Sequence, residues 1–120
     1  MTITISTDKV KVKLGETTLT DPQITENGTD AVTFLTAVFN TVTISDDLVS
    51  LVGVWYAAHM CRITEREIKT QKFGESGPTT FLTGEGLFLE EAMTIDTTGT
   101  LRNYIKASKN GNVSAIGVGY

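Results

Sequence analysis

The sequence predicts a mainly α fold. It reads as a small helical bundle of about four helices around a central apolar helix at residues 46–63, with an extended loop or hairpin arm at 69–82 and an extended C-terminal arm. Three observations predict it. Residues 48–61 read LVSLVGVWYAAHMC, apolar or small on nearly every face of a helix, and such a helix must be enclosed by other elements. Residues 62–77 read RITEREIKTQKFGESG, charged and then punctuated by glycine, so this stretch cannot do the enclosing and projects from the body. Helix-start signals recur at Ser6, Asp21-Pro22, Ser45-Asp46-Asp47 and Thr83. The 120 residues read as a single domain, with a helical body over about 7–101, the arm at 69–82 and a C-terminal tail over about 102–120.

Residues 2–6 alternate threonine or serine with isoleucine, as in a short strand or an extended arm. Ser6 or Thr7 caps a short helix over 8–14 that Gly15 closes. Asp8 in its first turn suits the helix dipole, and Val10 and Leu14 share one face. Asp21-Pro22 opens a second helix, whose apolar period through Ile24, Ala31, Phe34, Leu35, Val38 and Phe39 runs to about Asn40. Asn27-Gly28 weakens its early part, which predicts a break there or a start only at Thr29 or Asp30.

Ser45-Asp46-Asp47 caps the central helix. Its large members Leu48, Leu51, Val52, Trp55, Tyr56 and Met60 are the expected core, and Gly53, Ala57 and Ala58 allow close approach of neighbouring helices. Burying the large set offers about 10–20 kcal/mol as an upper bound. Residues 64–70 extend this helix or start another, with Glu65 and Lys69 spaced i,i+4. Gly74, Gly77 and Pro78 then end regular structure. Thr83 caps a further helix over about 85–95, with Leu87, Leu89, Ala92 and Met93 as its apolar members, and Asp96-Thr97-Thr98-Gly99 reads as a turn. From Thr100 onward the chain is polar and interrupted by glycine, and Val113, Ala115, Ile116 and Val118 suit a terminal strand or arm.

Composition narrows the function classes. A formal net charge of −4 argues against a module whose whole surface attracts nucleic-acid phosphate, while leaving room for a local basic patch. Cys61 is the only cysteine, so the chain can form no internal disulfide and no all-cysteine metal site. Residues 1–6 lack the basic start of a secretory signal, and the apolar run at 48–61 is shorter than the ~20 residues a membrane span needs, so a soluble protein with no membrane partner is expected.

Catalytic parts are scarce. His59 is the single histidine, and at i and i+2 on a helix His59 and Cys61 point about 200° apart, too divergent to share one ion. Gly74-Glu75-Ser76-Gly77 fails the spacing of a serine nucleophile elbow because Pro78 stands where a glycine belongs. Gly84-Glu85-Gly86 lacks the Lys-Ser/Thr of a phosphate loop. The pairs Asp46, Asp47 and Glu90, Glu91 are adjacent helix positions that diverge, so neither forms an acid–base couple. No enzyme, metal or cofactor is expected. Arg62, Arg66, Lys69 and Lys72 gather positive charge in one segment, a solvated face or a contact to an acidic partner or to DNA in a channel. Phe73 and Phe81 flank the glycine-rich stretch as candidate interface anchors.

Several stretches together resemble the head–tail connector (adaptor, or head-completion) proteins of tailed bacteriophages and archaeal tailed viruses. They are Thr-Asp-Lys-Val-Lys at 7–11, Tyr56-Ala57-Ala58-His59, the basic run into Lys72-Phe73-Gly74-Glu75, Gly84-Glu85-Gly86-Leu87, and residues 95–101. The chain departs from that pattern in having Phe88-Leu89-Glu90-Glu91 in its last expected helix. The resemblance implies a structural virion protein at the neck between head and tail, assembled in the host cytoplasm. Such proteins form a homo-oligomeric ring, commonly twelve-fold, below the portal protein, and DNA passes through it without sequence-specific binding. The implied subunit or tail contact comprises Lys69, Lys72, Phe73, Glu75, Pro78 and Phe81. Val113, Ile116, Val118 and Tyr120 would dock on the portal or a neighbour, and Arg62 and Arg66 would face DNA or an acidic partner. Another tail completion or terminator protein, and a small helical regulatory binding module, are the alternative readings.

Overall fold

The computed structural model describes residues 1–73 and 86–109, and among these it is mainly helical, with no strand. The helices are α1 (Thr7–Leu14), α2 (Asp21–Val38), α3 (Asp46–Phe73), α4 (Gly86–Ile95) and α5 (Thr100–Lys109). α3 is the axis: α1, α2 and α4 pack against it, and α2 also meets α1 and α5.

Local chemistry sets the boundaries. The Ser6 hydroxyl accepts the Lys9 N–H at the start of α1, and Gly15 ends that helix at φ 71°, a backbone region that costs glycine nothing. Thr20 opens α2 with a full capping box: its hydroxyl accepts the Gln23 N–H, and the Gln23 side chain accepts the Thr20 N–H at 2.8 Å. Ser45 caps α3 by accepting the Leu48 N–H at 3.1 Å. Asp96 joins α4 to α5. Its carboxylate accepts the Thr98 N–H at 3.0 Å and the Leu101 N–H at 2.8 Å, while Gly99 turns the chain at φ 75°. Asp96→Ala is therefore expected to destabilise the domain by about 1–2 kcal/mol. Amide exchange should rise first at Leu101 and along α5; protection unchanged there would contradict the capping role.

Two clusters of buried side chains flank α3. Val10, Leu14, Leu19, Ile24 and Ala31 meet Val54, Ala57, Ala58 and Cys61 on one side. Leu35, Phe39, Leu89, Ala92, Met93 and Leu101 meet Val49 and Val52 on the other.

Four expectations need correction. The central helix does not stop at 63 and the arm does not start at 69, because α3 continues to Phe73 and holds Lys69, Lys72 and Phe73 in helix. Residues 62–73 contain neither glycine nor proline, and the Arg62–Glu65 ion pair at 2.8 Å braces the turn. Charge there does not mark a helix end. Nor is the C-terminal region extended from 102: α5 covers 100–109, because Leu101 and Ile105 at i and i+4 pack inward on the second cluster.

The third correction concerns the core of α3. Of the large residues expected there, Val52 is fully buried, Leu48, Trp55, Tyr56 and Met60 are half-buried, and Leu51 is exposed (43%). Small side chains occupy the centre because α1, α2 and α4 all crowd the same stretch, and the bulky ones fan out to the rims. Leu87 likewise faces solvent, and Phe88 takes the inward place beside Leu89. Fourth, α2 is continuous through Asn27-Gly28. Gly28 lies beneath Ile5, where a Cβ would come within 3.6 Å of its Cγ2, and Asn27 donates to Thr64 Oγ1 at 3.3 Å. Tertiary contacts outweigh the weak local helix propensity.

Candidate interaction surfaces

Arg62 sits at the junction of three elements. Its guanidinium donates to the carbonyls of Leu14 and of Glu16 (3.1 Å), pairs with Glu65 at 2.8 Å, and lies 5.6 Å from the Phe88 ring centre. Glu65 also accepts the Thr17 hydroxyl. A cation fits here because the end of α1 presents carbonyls without helical partners and the negative end of its dipole. The same rim continues through a tilted ring pair: Phe88 lies 5.8 Å from Trp55, and the Lys13 ammonium sits 4.7 Å over Trp55. Arg62, expected to face DNA or an acidic partner, thus binds α3 to the loop after α1.

Arg66 lies one turn further along, where Arg66, Glu67 and Ile68 are all exposed. These three exposed positions form the overhang of α3, and the helix itself continues to Phe73. Lys69, Lys72 and Phe73 follow in the same helix. Glu75, Pro78 and Phe81 lie outside the described residues, as do Val113, Ile116, Val118 and Tyr120.

Two features go beyond the sequence reading, which gave residues 2–6 as a short strand or an extended arm without its seat and gave no groove. First, residues 2–6 lie extended across α3. The Thr2 N–H donates to Asp46 Oδ1 at 3.1 Å and the Thr4 N–H to Ser50 Oγ at 2.9 Å. Ile3 and Ile5 point down, and a Cβ on Gly53 would stand 2.7 Å from Ile5 Cδ1. The close approach that Gly53 allows is to this arm, not to another helix. Second, an open groove of about 770 Å³ runs between α1, the arm and the first turns of α3. Val12 (75% exposed), Leu51 and Val54 give it an apolar floor; Lys9 and Lys13 line one side, and Asp46 and Asp47 lie at the start of α3. The alternation of Ile3 and Ile5 was a visible signal for the arm, whereas the groove has no sequence signature.

Against the other rim, Phe34 stacks on Tyr56 at 4.8 Å and meets Tyr104 edge-on at 5.4 Å, joining α2, α3 and α5. Burial, with a smaller contribution from Tyr104, pushes the Tyr56 phenol above its ordinary 10.0. His59 is buried beside Tyr56, with ring centres 5.7 Å apart. Among the described residues no group of three or more His, Cys, Asp or Glu side chains is placed to hold a metal ion. No described helix is long and apolar enough to cross a membrane.

No family model, no curated protein and no solved structure matches this chain. The functional reading therefore rests on its own residues and on the resemblance already described.

Cys61 gives a pH test of the interior. It is fully buried, and burial raises its thiol above the ordinary 9.0; Glu65 adds to the rise, and the Asn27 amide (3.4 Å) and Arg62 oppose it. A raised acid is stabilising in full below its unfolded value, and that contribution is lost as pH climbs from 9.0 through the folded value. Urea midpoints should hold between about pH 7 and pH 8.5 and fall above about pH 9, less so in Cys61→Ala. An equal fall in both proteins would assign the loss to other groups.

Proposed function

We propose that this chain is a head–tail connector subunit of a tailed virus: a structural virion protein that forms a ring between portal and tail and extends the DNA channel. The observation that carries the reading is the end of α3, a helix enclosed by the bundle mainly between Val49 and Cys61 and exposed at Arg66, Glu67 and Ile68, with Lys69 and Lys72 next in the same helix. A ring subunit needs a rigid body and an element that reaches past it to a different face of the next copy. The helical body and the overhang supply those two parts, and the sequence resemblance supplies the class of assembly.

In this reading the partners are further copies of the chain, the portal protein and a tail or tail-completion protein, with DNA passing through the ring without sequence-specific contacts. The place of action is the virion neck, after assembly in the host cytoplasm. Native mass measurement, with and without a candidate portal protein, tests it. The expected result is a ring-sized oligomer or a defined complex with the portal; a monomer that ignores every portal offered would overturn the reading. The basic segment at 62–72 also fits the alternative of a small helical regulator that binds nucleic acid. An electrophoretic shift of short duplex DNA, lost at moderate salt and absent in Lys69→Glu, would favour that second reading.

A further inference from the structure

We propose that α3 carries both halves of a head-to-tail contact between copies of this chain: the overhang at Arg66 and Ile68 of one copy seats in the groove at Val12, Asp47 and Leu51 of the next. The inference rests on the connector reading and names the surfaces it would use.

The two ends of α3 are complementary in charge. The first turn of α3 carries Asp46 and Asp47, beside a groove that Lys9 and Lys13 also line, and its last turns carry Arg66, Lys69 and Lys72 against the single acid Glu67. Each end also leaves apolar surface uncovered. Ile68 is 39% exposed on the overhang, and Leu51 (43%) with Val12 (75%) floor the groove. The charges would steer and orient the contact, and the apolar side chains would be buried in it. One copy cannot satisfy itself, because Leu51 and Ile68 stand about 25 Å apart along the same helix at ~1.5 Å per residue. Joining unlike surfaces is heterologous, and repeated it closes into a ring or extends into a filament. A groove-to-groove dimer, with Lys9 and Lys13 of one copy on Asp46 and Asp47 of the other, is the competing arrangement and would stop at two subunits.

Two variants that each disable one surface separate these cases. Leu51→Glu and Ile68→Glu alter exposed positions, so helicity by circular dichroism should match the wild type. Each alone should be monomeric by native mass measurement under conditions where the wild type forms larger oligomers. Mixed one to one, they should give a species of two subunits and nothing larger, because the intact overhang of Leu51→Glu meets the intact groove of Ile68→Glu. In the wild-type background Asp47→Lys and Lys69→Asp should each weaken association about tenfold or more, and the double variant should recover most of it. Wild-type oligomers that persist in either glutamate variant, a mixture that stays monomeric, or a wild type that stops at a dimer would overturn the contact while leaving the connector reading to the portal test. A wild type that is monomeric at its highest soluble concentration would overturn the contact too, and failure to bind any portal would then remove the connector reading as well.

Discussion

Replacing Arg62 by alanine is expected to destabilise the domain by about 2–3 kcal/mol, the range for losing hydrogen bonds from a charged donor and stranding its ionic partner, reduced for partial exposure. The guanidinium joins the Leu14 and Glu16 carbonyls to Glu65, and its side chain is 38% exposed, against 15% for Glu65. Removing it leaves a largely covered carboxylate with only Thr17 and two carbonyls without this donor. Urea unfolding measures the loss. Arg62→Lys should recover only a minor part, because a single ammonium cannot reach carbonyls and carboxylate in a fork. Full recovery by lysine would show that charge alone matters. The exchange of amides at the end of α1 and in the loop after it should rise in Arg62→Ala, since that loop is what the side chain holds.

Gly53→Leu is expected to lift the N-terminal arm off α3 and to lower the melting temperature by about 10 °C, for a net loss of about 2 kcal/mol. Even a Cβ at this position would meet Ile5 Cδ1 at 2.7 Å and Cγ1 at 2.9 Å, so a full leucine displaces Ile5, and Ile3 with it. The arm then loses its apolar seat and the bonds from Thr2 and Thr4 to Asp46 and Ser50. Better helix propensity at position 53 returns no more than about 1 kcal/mol. Deleting residues 1–5 should abolish most of the difference between glycine and leucine, which separates loss of the arm from damage to α3 itself. A leucine variant as stable as the wild type in the full chain would mean that the arm contributes nothing to stability.

Much of the fold was legible because its signals are local. Ser6 with Gly15, Asp21-Pro22, and Ser45 with Asp46 and Asp47 each act over a few residues and mark helix boundaries, although the cap of α2 is Thr20 and not Asp21. The apolar pattern at 48–61 identified the helix that the others surround. What misled was reading charge as a boundary. Residues 62–65 still pack on the body, 66–68 are exposed, and nothing from 62 to 73 breaks a helix. The α5 signal was present as Leu101, Tyr104 and Ile105 at i, i+3 and i+4, hidden by the polar residues around it. For the candidate surfaces, sequence located the basic segment but could not divide it. Arg62 and Arg66 look alike in the chain, yet one lies among carbonyls and rings while the other is exposed on the overhang.

By itself the sequence determined the helical class, most helix starts and the central place of α3, since capping and periodicity are written in neighbouring residues. Only the tertiary structure decided which face of α3 is the core, that Gly28 and Gly53 lie beneath the N-terminal arm, and that Val12 and Leu51 remain uncovered. Those outcomes depend on which distant segments converge on the same few ångströms of α3, a matter of packing volume that no local pattern carries.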